Sequence, residues 1–290
     1  MESIMRNDIK ILIAGGDMRQ VYCAARLAER YSVSLAGFEN AQLPPAAAEL
    51  NTSFADGELF DVAVLPMKPL SGEGVNAPYH SGKLLPADMN IRGGGTVFAG
   101  LDTERVAELF PRQKVVSYLG REEVLLKNAV LTAEGAVQLA LEALDRALSG
   151  LPVLVVGTGR IASALILILR GFGADVTAAV RSSASAARAQ LLGAKQTYTD
   201  SIGGEYALVF NTAPENVFSD TEVGRFREDT LFIELASAPG GFDDAAAELL
   251  GERLVRAPGL PGKTAPVTAG EIIAEAVSAM IEEGGAGYED

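Results

Sequence analysis

The chain has 290 residues, 48% hydrophobic and 21% charged, which fits two packed domains and excludes a disordered or collagen-like chain. Its 38 acidic residues against 24 basic ones give a net charge of −14, which disfavours binding to nucleic acid. The single Cys23 excludes an internal disulfide, and the longest nearly apolar run, residues 161–169, is too short to span a membrane, so we expect a cytoplasmic protein.

In the first half of the chain, short apolar segments alternate with helical patterns. Residues 9–14 form an apolar run that ends at Gly15-Gly16-Asp17, and a helical pattern follows over residues 18–30. Further strands are predicted over residues 33–37, 62–65, 96–99 and 115–117, with a helix over 103–110 and a glycine-rich turn over 92–95. Strands of this kind indicate a parallel sheet with helices on both faces.

A long Ala/Leu-rich helix is predicted over residues 132–148, and it ends before Ser149-Gly150. We place the domain boundary there. The prediction is an N-terminal substrate-side α/β domain over 1–150 that includes this interdomain helix, a dinucleotide-binding domain over 151–266, and a C-terminal helix over 267–290 that can return to the first domain. Thr268 and Glu271 have capping-box spacing at the start of that last helix.

The second half repeats the alternation more clearly. Strands are predicted over residues 153–156, 175–180, 207–211, 231–235 and 253–257, with helices over 161–170 and 185–192. The fold class is therefore α/β, with two doubly wound parallel-sheet domains. We expect a flavodoxin-like N-terminal domain followed by a Rossmann domain, laid out as in 2-hydroxy acid dehydrogenases.

The sharpest motif is Gly157-Thr158-Gly159-Arg160-Ile161-Ala162, which joins an apolar strand to an apolar helix. In the Gly-x-Gly-x-x-Ala pattern the first glycine permits a tight turn, the second admits a pyrophosphate, and the alanine allows close packing of the helix on the strand. The alternative is a plain tight turn. The strand before the motif and the helix after it favour a dinucleotide site.

The end of the next strand indicates which dinucleotide binds. NAD sites usually place an acidic residue there, whereas this chain has Arg181-Ser182-Ser183. A guanidinium attracts a 2′-phosphate and two hydroxyls can donate to it, so we predict NADP. The alternative is an exposed arginine at the end of a strand.

Histidine is scarce, because His80 is the only one, and it lies in a Gly/Pro/Ser-rich stretch. Within one chain this rules out a site built from a pair of histidines, and we predict no metal. Dehydrogenases of 2-hydroxy acids need a histidine base in the C-terminal half. A substrate that loses its proton more easily is therefore favoured, and His80 is interpreted as a loop residue.

Several motifs extend over nearly the whole chain, and the most specific are Gly-Gly-Asp-Met-Arg-Gln at residues 15–20 and Ala-Pro-Gly-Leu-Pro-Gly at 257–262. The others lie at residues 71–75, 132–135, 157–160, 181–183, 211–214 and 236–241. Together they resemble the family formed by the nucleotide-binding A subunits of bacterial dipicolinate synthases.

That resemblance implies NADP-dependent oxidation of a dihydrodipicolinate-type ring to pyridine-2,6-dicarboxylate during sporulation, in the mother-cell cytoplasm. It implies the flavoprotein-like B subunit of dipicolinate synthase as partner, and we expect a homo-oligomer, a hetero-oligomer or both. The motifs extend the predicted cofactor site to Asn211, Thr212, Ala213, Pro214, Ala236 and Ser237.

Two carboxylates on the substrate need basic or amide donors, and Arg19 and Lys263 are the candidates. Either can instead be a surface ion-pair residue. Weaker candidates for substrate binding are Asp17, Ser71, Gly72, Thr132, Glu134 and Ser237. Glu134 is also the candidate proton acceptor, the alternative being a first-turn carboxylate that complements a helix dipole.

Two other functions remain open. The chain could be a non-catalytic NADP-binding structural subunit, or an NADP-dependent imine or keto-acid reductase for another small anion. Hydride transfer by the isolated chain distinguishes the first alternative, and a panel of substrates distinguishes the second.

Overall fold

A computed structural model describes residues 6–50 and 58–284, which fold into two compact α/β units. Of the described residues, those up to Leu125 and those from Ala265 onward form the first unit, and Leu126–Thr264 form the second.

The first unit is built on a parallel five-stranded sheet. In chain order, the first three strands of the sheet are β1 (Arg6–Ala14), β2 (Tyr31–Ala36) and β3 (Phe60–Val64). A small antiparallel hairpin outside the sheet follows, made of β4 (Leu70–Ser71) and β5 (Gly74–Val75). The last two strands of the sheet are β6 (Ile91–Ala99) and β7 (Lys114–Ser117). The sheet order β2-β1-β3-β6-β7 is the flavodoxin-like order. The predicted turn at 92–95 instead lies within β6, where the pairing register with β3 shifts.

Three helices of the first unit are α1 (Met18–Leu27), α2 (Pro45–Ala48) and α3 (Thr103–Leu109). α1 begins after Asp17, whose carboxylate accepts the backbone N–H of Arg19 as an N-cap. Cys23 lies on the buried face of α1, and burial raises the pKa of its thiol above the ordinary value. The thiol therefore stays neutral and serves packing.

The helix predicted over 132–148 is longer and starts earlier, as α4 (Glu122–Ala143). Two acidic residues in its first turn favour that start, and the Thr132 hydroxyl donates to the Asn128 carbonyl one turn back, as threonine does inside helices. In the structure the two compact units divide between Leu125 and Leu126, inside this helix, whereas the sequence predicts a boundary near residue 150. α4 is long and apolar enough to cross a bilayer, but half of that apolar stretch is buried in the structure, as in a core helix.

The second unit is built on a parallel six-stranded sheet. Its strands are β8 (Pro152–Val156), β9 (Asp175–Val180), β10 (Lys195–Tyr198), β11 (Leu208–Asn211), β12 (Leu231–Glu234) and β13 (Leu254–Arg256). The order β10-β9-β8-β11-β12-β13 is that of a Rossmann domain, with β8 between β9 and β11. Residues 153–156 of β8 are completely buried, because strands flank β8 on both sides and helices cover the sheet. The predicted fold class is confirmed.

Helices of the second unit connect these strands. They are α5 (Arg160–Gly171), α6 (Ser183–Leu191), α7 (Asp220–Val223), α8 (Asp244–Leu250) and α9 (Leu260–Thr264). Gly135 of α4 permits close approach of α9, since a Cβ there would come within 2.8 Å of the Thr264 hydroxyl. The second half of the 257–262 motif is helical, and Lys263 follows it within α9.

The C-terminal helix α10 (Pro266–Gly284) belongs to the first unit and packs on α1. Gly270 makes this contact possible, because a Cβ there would lie 2.4 Å from the Arg19 carbonyl oxygen. Proline at the first helical position starts the helix, so Thr268 lies inside it and the predicted capping box is wrong.

Candidate functional site

The glycine motif of the second unit forms the turn between β8 and α5. Gly157 has φ +103°, a conformation that favours glycine, and a Cβ there would lie 2.7 Å from the Thr212 hydroxyl. Its backbone N–H donates to the Ala179 carbonyl at 2.9 Å, which ties the turn to β9. The backbone conformation and the close approach of Thr212 thus require a glycine at position 157.

Gly159 has a different role, because its φ of −72° suits any residue and a Cβ there would meet nothing within 4 Å. It is the N-cap of α5 and has no side chain with which to cap the helix. The N–H groups in the first turn of a helix lack intrahelical partners and carry a partial positive charge. The turn therefore leaves open space in front of a helix end that suits an anion such as a pyrophosphate.

In the corresponding turn of the first unit, between β1 and α1, the backbone N–H groups of both glycines are already engaged. Gly15 and Gly16 donate their N–H groups to the carbonyls of Ala36 and Asn76, at 2.9 and 2.7 Å. The Asp17 carboxylate accepts the N–H of Arg19 at 3.0 Å and adds a negative charge. Of the two strand–glycine–helix turns, that of the second unit is therefore the better candidate for binding phosphates.

A cleft of about 650 Å³ opens at the carboxyl ends of β8, β9 and β11. The predicted cofactor residues that line it are Gly157, Thr158, Gly159, Arg181, Thr212, Ala213 and Pro214. Residues that the sequence did not indicate also line it, among them Ser185, Arg188, Thr199, Asp200, Glu215, Asn216 and Glu222. Glu215 and Asn216 directly follow the predicted 211–214 segment, whereas the others come from separate loops and helices that no local pattern marks.

The remaining predicted cofactor residues lie outside the lining of this cleft. Arg160 and Ile161 form the first turn of α5, and Ser183 is exposed at the start of α6. The Ser182 hydroxyl is occupied as the N-cap of α6 and accepts the N–H of Ser185 at 3.2 Å. Asn211 is completely buried. The chain after β12 carries the other two, Ala236, which is half-buried, and Ser237, which is exposed.

Arg181 is paired with an acidic residue that lies 34 positions away. Its Nη1 atom is 2.5 and 2.6 Å from the two carboxylate oxygens of Glu215. The two side chains are 69% and 62% exposed, so the pair is open to solvent. The guanidinium predicted to bind the 2′-phosphate thus already has a carboxylate partner.

A second guanidinium reaches the glycine turn. Arg188 of α6 donates from Nη1 to the Thr158 carbonyl at 3.2 Å, and it lines the cleft. It therefore adds a positive charge directly beside the backbone that a pyrophosphate would approach.

A buried carboxylate organises the chain beyond the neighbouring strand ends. Glu234, 5% exposed, accepts the Asn211 side-chain amide at 2.8 Å, the Ala236 N–H at 3.0 Å and the Gly241 N–H at 2.8 Å. Asn211 in turn donates to the Ala213 carbonyl at 3.0 Å. Glu234 thereby connects the 211–214 segment, part of which lines the cleft, to the 236–241 segment.

The candidate substrate residue Arg19 is held by its neighbour. Its Nε and Nη2 atoms donate to the Asp17 carboxylate at 2.9 and 2.7 Å, and its side chain is only 14% exposed. Burial alone would lower the pKa of the guanidinium, but the hydrogen bond and charge of Asp17 raise it above its ordinary value. The next residue, Gln20, is 1% exposed, and its side-chain amide has no partner among the described residues.

Other predicted substrate residues lie elsewhere. Ser71 and Gly72 are exposed at the hairpin turn between β4 and β5, and Lys263 is exposed on α9. Thr132 is buried in α4, with its hydroxyl bonded to backbone. Glu134 is exposed in the middle of α4, so its interpretation as a first-turn carboxylate is wrong, because the helix already begins at Glu122.

His80 is in contact with one acidic side chain, since its Nδ1 atom lies 3.0 Å from a carboxylate oxygen of Glu39. Within residues 6–50 and 58–284, no group of three or more His, Cys, Asp and Glu side chains is arranged to hold a metal ion.

Comparison with known proteins gives a consistent set of relatives. A family model that describes the N-terminal domain of the dipicolinate synthase A subunit matches residues 10–118. The A subunit of dipicolinate synthase from Bacillus subtilis (strain 168) is 30% identical over 290 residues, covering 96% of this chain and 98% of that protein.

Solved structures extend this likeness to three dimensions. The A chain of dipicolinate synthase from Bacillus subtilis superposes with a TM-score of 0.84 at 28% identity, covering 98% of this chain and 99% of that one. The corresponding chain from Bacillus halodurans gives 0.82 at 25% identity, with 96% and 99% covered.

The fold also recurs in more distant enzymes. A transhydrogenase from Sinorhizobium meliloti has a TM-score of 0.69 at 18% identity, covering 94% of this chain and 93% of that one. An NAD-complexed D-isomer specific 2-hydroxyacid dehydrogenase from Lactobacillus delbrueckii ssp. bulgaricus has 0.52 at 11%, covering 97% and 98%. These two likenesses concern the dehydrogenase-type fold alone.

Proposed function

The chain belongs to the family of dipicolinate synthase A subunits, as its motifs predict, and on that basis we propose that it is an NADP-dependent oxidoreductase. Its substrate is a dihydrodipicolinate-type cyclic dicarboxylate, and its product is pyridine-2,6-dicarboxylate. The observation that carries the cofactor assignment is the open helix end at Gly159, with Arg181 and Arg188 on the same cleft.

The residues present fit a dinucleotide. Gly157 supplies the turn, the open space at Gly159 admits the pyrophosphate, and Arg188 brings a positive charge beside it. Arg181 is the group assigned to the 2′-phosphate. NADP supplies the acceptor for the hydride that the ring loses.

Arg19 is assigned to one substrate carboxylate. Asp17 engages its Nε and Nη2 atoms, which leaves Nη1 without a partner among the described residues. Asp17 is then a positioning residue that fixes the direction of the guanidinium, because a carboxylate would repel a dicarboxylate directly. Lys263 stays the prediction for the second substrate carboxylate.

The proton lost from the ring needs only a weak acceptor. Losing a hydride and a proton gives an aromatic ring, so formation of the product is strongly favoured and orientation of the dicarboxylate provides most of the catalysis. Water can accept the proton. Glu134 stays the predicted protein acceptor, with an exposed carboxylate on α4.

The proposal also covers the partner of the protein and the place where it acts. The relatives are components of a synthase by name, so we assign this chain to a complex with a flavoprotein-like B subunit, in the cytoplasm of the sporulating mother cell. A homo-oligomer of this chain is compatible with that complex.

Absorbance at the nicotinamide band tests the reaction itself. The chain, NADP and dihydrodipicolinate are mixed with and without the flavoprotein-like partner, and we expect reduction of NADP by the chain alone. Reduction only when the partner is present would instead favour a nucleotide-binding structural subunit. Activity on other imines or keto acids, with none on dihydrodipicolinate, would favour a reductase for another small anion.

Arg181→Ala should weaken NADP binding by about tenfold and change NAD binding little. A hydrogen bond to a charged group contributes about 1.5–3 kcal/mol, and releasing Glu215 costs up to about 1 kcal/mol, so about 1.4 kcal/mol is a reasonable net loss. Titration calorimetry with both cofactors measures this difference. Equal losses for NADP and NAD would contradict the assignment of Arg181 to the 2′-phosphate.

Arg19→Ala should raise the KM for the dicarboxylate or lower kcat by at least about tenfold, which corresponds to a loss of only about 1.4 kcal/mol. The affinity for NADP should stay within about twofold, because the proposed contact is with substrate. Arg26→Ala is the matched control and should leave the kinetics unchanged, because Arg26 is an exposed arginine of the same helix that pairs with Glu29, just beyond the helix end. Normal kinetics in Arg19→Ala would leave Arg19 as a structural partner of Asp17.

A further inference from the structure

The ion pair of Arg181 and Glu215 spans the carboxyl end of β8. Arg181 directly follows β9, Glu215 lies shortly after β11, and both of these strands pair with β8. Their side chains therefore meet above the strand that ends in the glycine turn, and both line the cleft. A dinucleotide bound at that turn has to share the space with this pair.

We infer that Glu215 is a specificity-determining residue that weakens the preference of this site for NADP over NAD. The inference rests on the proposed nicotinamide cofactor. Glu215 occupies the same guanidinium that a 2′-phosphate needs, so NADP has to displace a carboxylate that is 2.5 and 2.6 Å from Nη1. The phosphate and the carboxylate also repel each other, because both are anions.

NAD has no such conflict. In nicotinamide sites an acidic side chain commonly accepts hydrogen bonds from the ribose hydroxyls. Glu215 presents a carboxylate on the cleft, although it follows β11 rather than β9, where the sequence has no acidic residue. The site thus holds one group suited to each cofactor, and the two groups are bonded to each other.

Two other acidic side chains of the cleft do not oppose Arg181 in the same way. Glu222 is engaged by the N–H of Ser219 at 3.1 Å and by its hydroxyl, in the capping box of α7. Asp200 accepts the Ser201 hydroxyl at 3.0 Å. Glu215 is the carboxylate in contact with Arg181, and it is the one whose removal frees the guanidinium.

Dissociation constants of NADP and NAD measured for four variants test the inference. The variants are Glu215→Gln, Arg181→Ala, the double variant and Asp175→Asn. The last breaks a similar exposed ion pair, with Lys195 at 2.7 Å, and Asp175 lies at the opposite end of β9 from Arg181. All three substitutions are on the surface, where changes leave folding nearly unaffected.

Glu215→Gln should tighten NADP binding about threefold to fivefold, since an exposed ion pair contributes up to about 1 kcal/mol. NAD binding should stay equal or become weaker. With Arg181 already replaced by alanine, the same change should improve NADP binding by less than about twofold. Asp175→Asn should alter neither constant.

The outcomes separate this inference from the proposed function. If Arg181→Ala weakens NADP binding but Glu215→Gln does not tighten it, Glu215 has no role in specificity and the NADP assignment stands. A gain of equal size for NAD and NADP would also overturn the inference, because it would show only a general effect of removing a negative charge from the cleft. If Arg181→Ala leaves NADP binding unchanged, both the NADP assignment and the inference fail.

Discussion

Replacing Gly159 with valine is expected to weaken NADP binding at least about 100-fold, about 2.7 kcal/mol, while the second unit keeps its fold. The backbone at Gly159 has φ −72°, which valine adopts without strain, and a Cβ there meets no protein atom within 4 Å. The branched side chain would instead fill the space that a pyrophosphate needs in front of α5. Titration calorimetry measures the affinity, and circular dichroism reports the fold.

Gly157→Ala is the informative contrast, because it should act on stability as well as on binding. Its φ of +103° is strained for alanine, and the new Cβ would lie 2.7 Å from the Thr212 hydroxyl. Thermal denaturation should show a lower melting temperature for this variant and an unchanged one for Gly159→Val. Unchanged NADP affinity in a folded Gly159→Val protein would place the cofactor elsewhere.

Replacing Glu234 with alanine is expected to lower the free energy of unfolding by about 3–5 kcal/mol. The carboxylate is 5% exposed and accepts three N–H groups, from Asn211, Ala236 and Gly241. Each buried donor left without an acceptor costs about 1–3 kcal/mol, and relief of the buried charge offsets part of the sum. Chemical denaturation measures the change. NADP affinity should fall too, since Asn211 also holds the cleft-lining Ala213.

Two further variants sharpen that experiment. Glu234→Gln keeps the size but turns an NH₂ group toward backbone or amide donors, so it should also destabilise, by less than the alanine variant. Glu248→Ala removes an exposed carboxylate of α8 and should change stability by no more than about 0.5 kcal/mol. A loss below about 1 kcal/mol in Glu234→Ala would show that water replaces the carboxylate there.

Local pattern was enough to predict the two α/β domains and the strand–glycine–helix turn of the second one. Apolar strands such as β8 and β1 differ from helices in length and periodicity, so their alternation with helices is visible in sequence. The glycine turn is contiguous, and its function depends on backbone conformation and on the absence of side chains. Gly157 and Gly159 can therefore be identified from the sequence by itself.

Helix boundaries were harder to predict. The prediction began the long helix at Thr132, whereas α4 begins at Glu122 and the two units divide inside it. Threonine starts a helix or lies within one according to what its hydroxyl bonds to, and here that is the carbonyl of Asn128. Whether a threonine caps a helix or lies inside it therefore depends on its neighbours, and a short stretch of sequence does not show which of the two applies.

The partners of the charged groups were decided by tertiary structure. Arg181 was visible at a strand end, but Glu215 lies 34 residues away and reaches it because the sheet order places β9 and β11 on either side of β8. In the sequence, Glu234 likewise looks like an ordinary charged residue at the end of a strand. Its structural role follows from its burial and from the three N–H groups that donate to it. Sequence specifies local conformation through nearest neighbours, whereas charge and hydrogen-bond pairing depend on distances in space that only the strand order sets.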